Sequence, residues 1–245
     1  MLVYVYDGSF EGILTSVFEA FSRKEAPDAI VSEQGLQQDL TASYVFVTAD
    51  QEKSDRVYAS IWKNISEDAL KNVYHTFLSE DPEAGTLIYR YLKLGWKMGS
   101  SVDMHLSDDT VFKIMDINRR VGFEVHRLMG FVRFRQVEGE LYYSSISPDH
   151  NVVELLAPHF AERLSDQNWI IHDVKREIAA LYNTKEWIMT EFTADEIPRA
   201  TEEEKRYSGL WREFFKTLEI KSRSNPKLQR QLMPRRYWEH LCEKW

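Results

Sequence analysis

The sequence predicts an α+β fold: a helical N-terminal half, an antiparallel β-meander with an inserted helix, and a helical, basic C-terminal arm. Three observations predict it. Apolar residues recur at helical spacing through most of the chain up to Met129. After Gly130 the pattern changes to alternation, with turn residues between the alternating runs. The last stretch joins cations, two proline restarts and a stripe of aromatics at helical spacing.

The elements follow in order. Leu2–Tyr6 (LVYVY) is a short β-prone run that ends in Asp7-Gly8-Ser9. Phe10, Leu14, Val17, Phe18 and Phe21 then mark an amphipathic helix, with Ser9 as its N-cap. Ala29–Ser32 and Tyr44–Thr48 read as strands, and residues 51–64 and 66–79 as helices, the second opened by Ser66. The acidic Ser79–Gly85 stretch, with Pro82, is the linker, so residues 1–80 form an N-terminal α/β part and 86–245 an α+β part. Thr86–Met98 is a helix, and Asp108 opens the longest one, reaching about Met129. Phe131–Arg135 and Leu141–Ile146 flank Glu138-Gly139 as a hairpin. Asp149 or Asn151 caps a helix to Leu164, Trp169–His172 is a strand, and Glu177–Tyr182 pairs with Trp187–Phe192 around Asn183-Thr184. Thr201 and Glu204 form a capping box for a helix to Leu218. Asn225-Pro226 and Met233-Pro234 restart short helices, and Tyr237, Trp238, Leu241 and Trp245 form a docking stripe.

A chain of 245 residues with 43% hydrophobic and 13% aromatic content can bury a sizeable core. No run approaches the roughly 20 apolar residues of a membrane span, and MLVYVYDGSF has no basic segment of the kind that opens a secretory signal. The one cysteine, Cys242, cannot form an internal disulfide or by itself nucleate a zinc or iron–sulfur site, so a reduced, cytoplasmic setting is expected. The formal charge is −8, but Lys221–Arg236 carries +6 with no acidic residue, which leaves −14 on the remainder. A basic stripe on an acidic body steers anionic partners.

The candidate site residues centre on His126–Arg176. His126 and Arg127 end the long helix, where cations are favoured by the macrodipole whether or not they have a function. Arg133 and Arg135 fall on one strand face, where they repel unless carboxylates or an anionic ligand lie between them. His159 and Arg163 are helical neighbours at i, i+4. His172 and Asp173 point to opposite strand faces, which makes them a poor dyad; Asp173 can instead open a turn toward Lys175 and Arg176. Each histidine alone reads as a structural residue, and together they point to a shared polar site. No HxH, HxxxH or HExxH spacing is present, so no metal or other cofactor is expected. Asp7 closes a strand just before a helix N-terminus, a place suited to an anion but also an ordinary turn. In the tail, Arg223, Asn225, Lys227, Arg230, Arg235 and Arg236 alternate with Tyr237 and Trp238; cations bind phosphates and rings stack on bases, unless the arm pairs with the acidic body.

Several motifs together, YDGSFEG, HRxxGFVRF, HFxxR, WxIHDxKR, RxNPKLQ and MPRRYW, resemble a bacterial family of DNA-metabolism proteins associated with a radical-SAM partner. A similar domain occurs fused to uracil-DNA-glycosylase-like domains. The resemblance runs from Tyr6 to the C-terminus and implies a role in DNA repair or modification, with the iron–sulfur cluster in the partner. It supplies no catalytic residues.

The resulting expectation is a DNA-associated protein that meets phosphates with Arg127, Arg133, Arg135, Arg163, Arg176 and the arm, around a pocket of His126, His159 and His172. An enzyme using one of these histidines with Asp7 or Asp173 as general acid–base groups is the alternative. A protein-interaction adaptor is the third. The expected partners are DNA or a nucleotide and the radical-SAM protein, with no membrane.

Overall fold

The computed structural model describes residues 1–34, 36, 40–218, 222 and 225–244. The chain forms two compact units, Met1–Gly122 and Phe123–Trp245, divided inside one long helix.

The first unit contains β1 (Leu2–Tyr6), α1 (Phe10–Ser22), β2 (Ala29–Ser32), β3 (Ser43–Val47), α2 (Gln51–Asn64), α3 (Glu67–Leu78), α4 (Ala84–Met98) and the start of α5 (Asp109–Phe131). Its sheet has the order β2-β1-β3, and both pairs are parallel. The central strand is covered on both faces, which is why LVYVY is continuously apolar rather than alternating; Val3, Tyr4, Val5 and Tyr6 are all buried. The caps lie where polar residues precede apolar periodicity. Ser9 accepts from the Gly12 N–H at 2.9 Å and Ser66 from the Ala69 N–H at 2.9 Å. Gly85 lets α4 press against β2, since a Cβ there would meet the Ile30 carbonyl oxygen at 2.6 Å. The Ser79–Gly85 turn therefore joins two helices of the same unit.

The second unit contains the end of α5, β4 (Arg135–Val137), β5 (Leu141–Ile146), α6 (Val153–Arg163), β6 (Asn168–Asp173), β7 (Ile178–Tyr182), β8 (Trp187–Glu191), α7 (Glu202–Leu218), α8 (Pro226–Leu232) and, among the described residues, three 3-10 turns, Ala194–Glu196, Arg235–His240 and Cys242–Lys244. The fold class is α+β, as the sequence predicts. The five strands run in chain order, β4-β5-β6-β7-β8.

Two details differ from the sequence reading. The sheet is not a pure antiparallel meander, because β5 and β6 are parallel. The helix between them is the reason: α6 carries the chain back to the end of the sheet at which β5 begins, and parallel neighbours need such a crossover. The strand expected at Phe131–Arg135 begins only at Arg135. Gly130 does not end α5; Val132 is buried and its N–H still donates to the Leu128 carbonyl at 2.9 Å. Burial of that last turn outweighs the local alternation.

Candidate functional site

Strand register sorts the side chains of the second unit onto two faces. Arg135 is paired with Tyr143, Tyr143 with Ile170, Ser145 with His172, and His172 with Ala179, so these residues share one face. Tyr142, Trp169 and Tyr182 share the other, where Trp169 stacks on Tyr182 at 5.1 Å. Phe134 links Trp169 to Phe160, which places α6 on that second face. The first face has a buried apolar centre of Val137, Tyr143, Ile170, Ala179 and Phe192.

Beside this centre lies a cavity of about 720 Å³. Its floor is β4 and β5, its far wall is α7, and its end is the chain around His240 and Cys242. Arg133 and Arg135 both line it. The Arg135 guanidinium lies 4.9 Å over the Tyr143 ring, and its buried Nε has no acceptor among the described residues. Arg133 is held by the Gly130 carbonyl at 2.9 Å, with the Glu243 carboxylate 4.0 Å away.

The wall is apolar. Tyr207, Leu210, Trp211 and Phe214 stand at i, i+3, i+4 and i+7 on α7 and face the cavity. An amphipathic helix normally buries such a face, yet α7 has no buried residue and Trp211 is 43% exposed. The helix is nevertheless anchored. The Glu204 carboxylate accepts from the Gln136 N–H of β4 at 3.0 Å, and the Trp211 indole donates to Glu243 at 3.3 Å. Thr201 caps the Glu204 N–H at 3.1 Å; the expected box is thus half formed, because the carboxylate turns to β4.

At the end of the cavity His240 is clasped on both ring nitrogens. Nδ1 is 2.9 Å from the Ser145 Oγ, and Nε2 is 2.8 Å from the Ser147 Oγ and 3.2 Å from a Glu239 carboxylate oxygen. Burial pushes its pKa down, so the ring is neutral at pH 7. Burial also pushes the Cys242 thiol up, so it stays protonated. Tyr143 bonds His172 Nδ1 at 2.7 Å; burial pushes the phenol up to about 12 and the imidazole down.

The structure brings together only part of the predicted set. Arg133 and Arg135 meet in the cavity, and His172 reaches it through Tyr143. His126 is exposed on α5 and Arg127 half-buried. His159 belongs to α6, edge-on to Phe160 on the other side of the sheet, and Arg163 is exposed on the same helix. The three-histidine pocket is therefore not assembled: His172 is buried on one face of the sheet, His159 lies on α6 on the other, and His126 is exposed on α5. Asp173 is fully buried and builds the β6–β7 turn: it accepts from the Lys175 N–H and holds Arg176 at 2.7 Å. Arg176 also ties down the Pro148 and Asp149 carbonyls, so the pair is a clamp. In the first unit, Asp7 accepts from the Ser9 N–H and hydroxyl at 2.9 and 2.6 Å, which makes it the turn that presents the α1 cap.

In the arm, Asn225 caps α8 through the Leu228 N–H at 3.0 Å, and Lys227 and Arg230 are exposed. Arg235 lies over Trp238 at 5.9 Å. Arg223 lies outside the described residues. Arg236 reaches Glu124 at 3.1 Å and Asp149 at 2.8 Å. Glu124, which the sequence reading passed over, is a buried hub. It accepts from the Asp149 and His150 N–H groups, the His150 ring and the Tyr237 hydroxyl. Burial pushes this carboxyl up, but the His150 ring and the other donors outweigh it and hold it at about 2. His240 was the other omission. Its only sequence signal is its place in the aromatic stripe of the tail, 95 residues from Ser145.

Fold and cavity together define an α+β protein with an arginine-lined, aromatic-walled site. The chain belongs to a family described as a domain of unknown function, DUF4130, whose model matches residues 82–243 and so spans the whole cavity. No curated protein matches the chain. Among the described residues no group of His, Cys, Asp or Glu is arranged to hold a metal ion, and no helix is long and apolar enough to cross a membrane.

Proposed function

We propose that this protein handles nucleic acid, taking a phosphate-bearing nucleotide, free or at the end of a single strand, into the cavity between β4, β5 and α7. The observation that carries the reading is the pairing of Arg133 and Arg135 with an uncovered aromatic wall, the Arg135 Nε lacking an acceptor among the described residues. Guanidinium groups recognise phosphate oxygens, and exposed rings stack on any base. Arg133 is held by Gly130 and Arg135 rests over Tyr143, but the apolar face of α7 buries nothing, which is unfavourable in water, and on this reading a ligand covers it. On this reading Arg133, Arg135 and Trp211 are the contact residues, while Lys227 and Arg230 attract the polymer from outside.

The wider role, in DNA repair or modification beside a radical-SAM protein in the cytoplasm, is proposed on the resemblance described above. Co-purification of the tagged protein with a radical-SAM protein is the expected outcome, and capture of none argues against that role without touching the cavity reading.

The test of the cavity is a titration of the protein with labelled single-stranded oligonucleotides, followed by anisotropy. Arg135→Ala is expected to weaken binding about tenfold and to lower the salt slope by about 0.7, one phosphate contact on a single strand. An unchanged affinity and slope in Arg135→Ala removes the cavity from the proposal.

A further inference from the structure

We propose that Ser145 is a nucleophile toward phosphorus and His240 its general base, so that the cavity cleaves a phosphoester of the nucleotide it binds. The proposal rests on the nucleotide reading of the cavity. Its own support is a constellation of side chains in a line. Ser145 lines the cavity, and its hydroxyl lies 2.9 Å from His240 Nδ1. The other ring nitrogen is held by Ser147 at 2.8 Å and by Glu239 at 3.2 Å. A nucleophile bonded to a base, and the base bonded to an orienting group, is the arrangement that activates a serine.

The neighbours favour this assignment over the two competing ones. Cys242 lines the same cavity, but a thiol kept protonated by burial is a weak nucleophile. His172 is engaged by Tyr143 and is buried behind it. Phosphorus rather than a carbonyl is the matching electrophile because Arg133 and Arg135 line the cavity. Two cations suit the charge that builds on equatorial oxygens in phosphoryl transfer.

The step balances. The Ser145 Oγ–H proton passes to His240 Nδ1 as the Oγ–P bond forms. The P–O bond to the leaving alcohol breaks, and His240 returns that proton to the leaving oxygen. Water then attacks the phosphoserine, its proton going to His240 Nδ1, and the Oγ–P bond breaks as His240 passes that proton to Oγ, which regenerates the hydroxyl and the neutral ring. Both half-reactions are displacements at phosphorus with no change of oxidation state. Glu239 and Ser147 are positioning residues, which hold the tautomer that leaves Nδ1 free to accept.

The experiment uses the full chain and a fluorophosphonate probe, which reacts only at phosphorus. Intact mass and peptide mapping are expected to place one phosphonyl group on Ser145. Ser145→Ala loses the adduct. His240→Gln, checked for unchanged thermal melting, slows labelling about a hundredfold or more, the usual worth of a general base. Bis(p-nitrophenyl) phosphate is expected to release p-nitrophenol with the same dependence on both residues. No adduct on Ser145 in the wild-type protein, or equal labelling of Ser145→Ala, overturns the nucleophile and leaves His240 a buried ring satisfied by two serines. The same preparations are titrated with oligonucleotide. Binding without labelling overturns only this inference; loss of both overturns the cavity reading as well.

Discussion

At the scale of single residues, the most consequential side chain outside the cavity is Glu124. It is 2% exposed and carries five hydrogen-bond donors from the loop at 149–150 and from the arm. Its folded pKa of about 2 lies below the ordinary 4.5. A depressed carboxyl contributes stability that is fully present above about pH 4.5 and is lost as pH falls toward 2. The full span corresponds to about 3 kcal/mol. Urea midpoints of the second unit are expected to fall steeply between pH 4.5 and 2 in the wild-type protein. Glu124→Gln is expected to lower the neutral-pH stability by a similar amount, because it leaves Arg236 without its buried partner. It also flattens the acid limb. An acid limb as steep in Glu124→Gln as in the wild type would assign that instability to other carboxylates.

At the scale of elements, α7 and β6 make opposite predictions. Helix α7 buries none of its residues, so Trp211→Ala is expected to change stability by no more than ordinary surface substitutions do, about 0.5 kcal/mol. The same substitution is expected to weaken oligonucleotide binding by about 1–3 kcal/mol, the worth of one stacked base. Calorimetry and anisotropy on one preparation separate the two quantities, and equal loss in both would make α7 a structural helix. Trp169 on β6 is fully buried under α6, and Trp169→Ala is expected to cost about 3–5 kcal/mol of stability. This contrast marks what the sequence could disclose. Ser9, Ser66 and Asn225 announced their helices because a cap needs one polar side chain next to a periodic run, and both lie in a few consecutive residues. The parallel pairings β1–β3 and β5–β6 did not announce themselves, since alternation fixes which face a residue takes and not which strand lies beside it. The site divided the same way. Arg133 and Arg135 are two apart in the chain and were legible as a pair. His240 and Ser145 meet only through the fold, and of the three histidines that cluster along the chain, His159 and His172 lie on opposite faces of the sheet while His126 is exposed on α5.

At the scale of the whole molecule, the segregated charge decides how an anion reaches the cavity. The chain carries −8, yet residues 221–236 carry +6. Those cations are not equivalent. Arg236 is paired with Glu124 and Asp149 and serves to fasten the arm, and Arg235 rests over Trp238. Lys227 and Arg230 stay exposed on α8. Their contribution is therefore long-range attraction, which salt screens over about 10 Å at 0.1 M. Cavity contacts lie in a less solvated place and are screened less. Lys227→Ala combined with Arg230→Ala is expected to weaken the salt dependence of the association rate for single-strand binding. It is also expected to slow association while leaving the dissociation rate nearly unchanged. Trp211→Ala is expected to do the reverse: unchanged slope, faster dissociation. Stopped-flow rates at three salt concentrations distinguish them. If the arm variant changes only dissociation, α8 is part of the bound interface rather than its electrostatic approach, and the acidic remainder of the chain must then be oriented away from the polymer by the cavity alone.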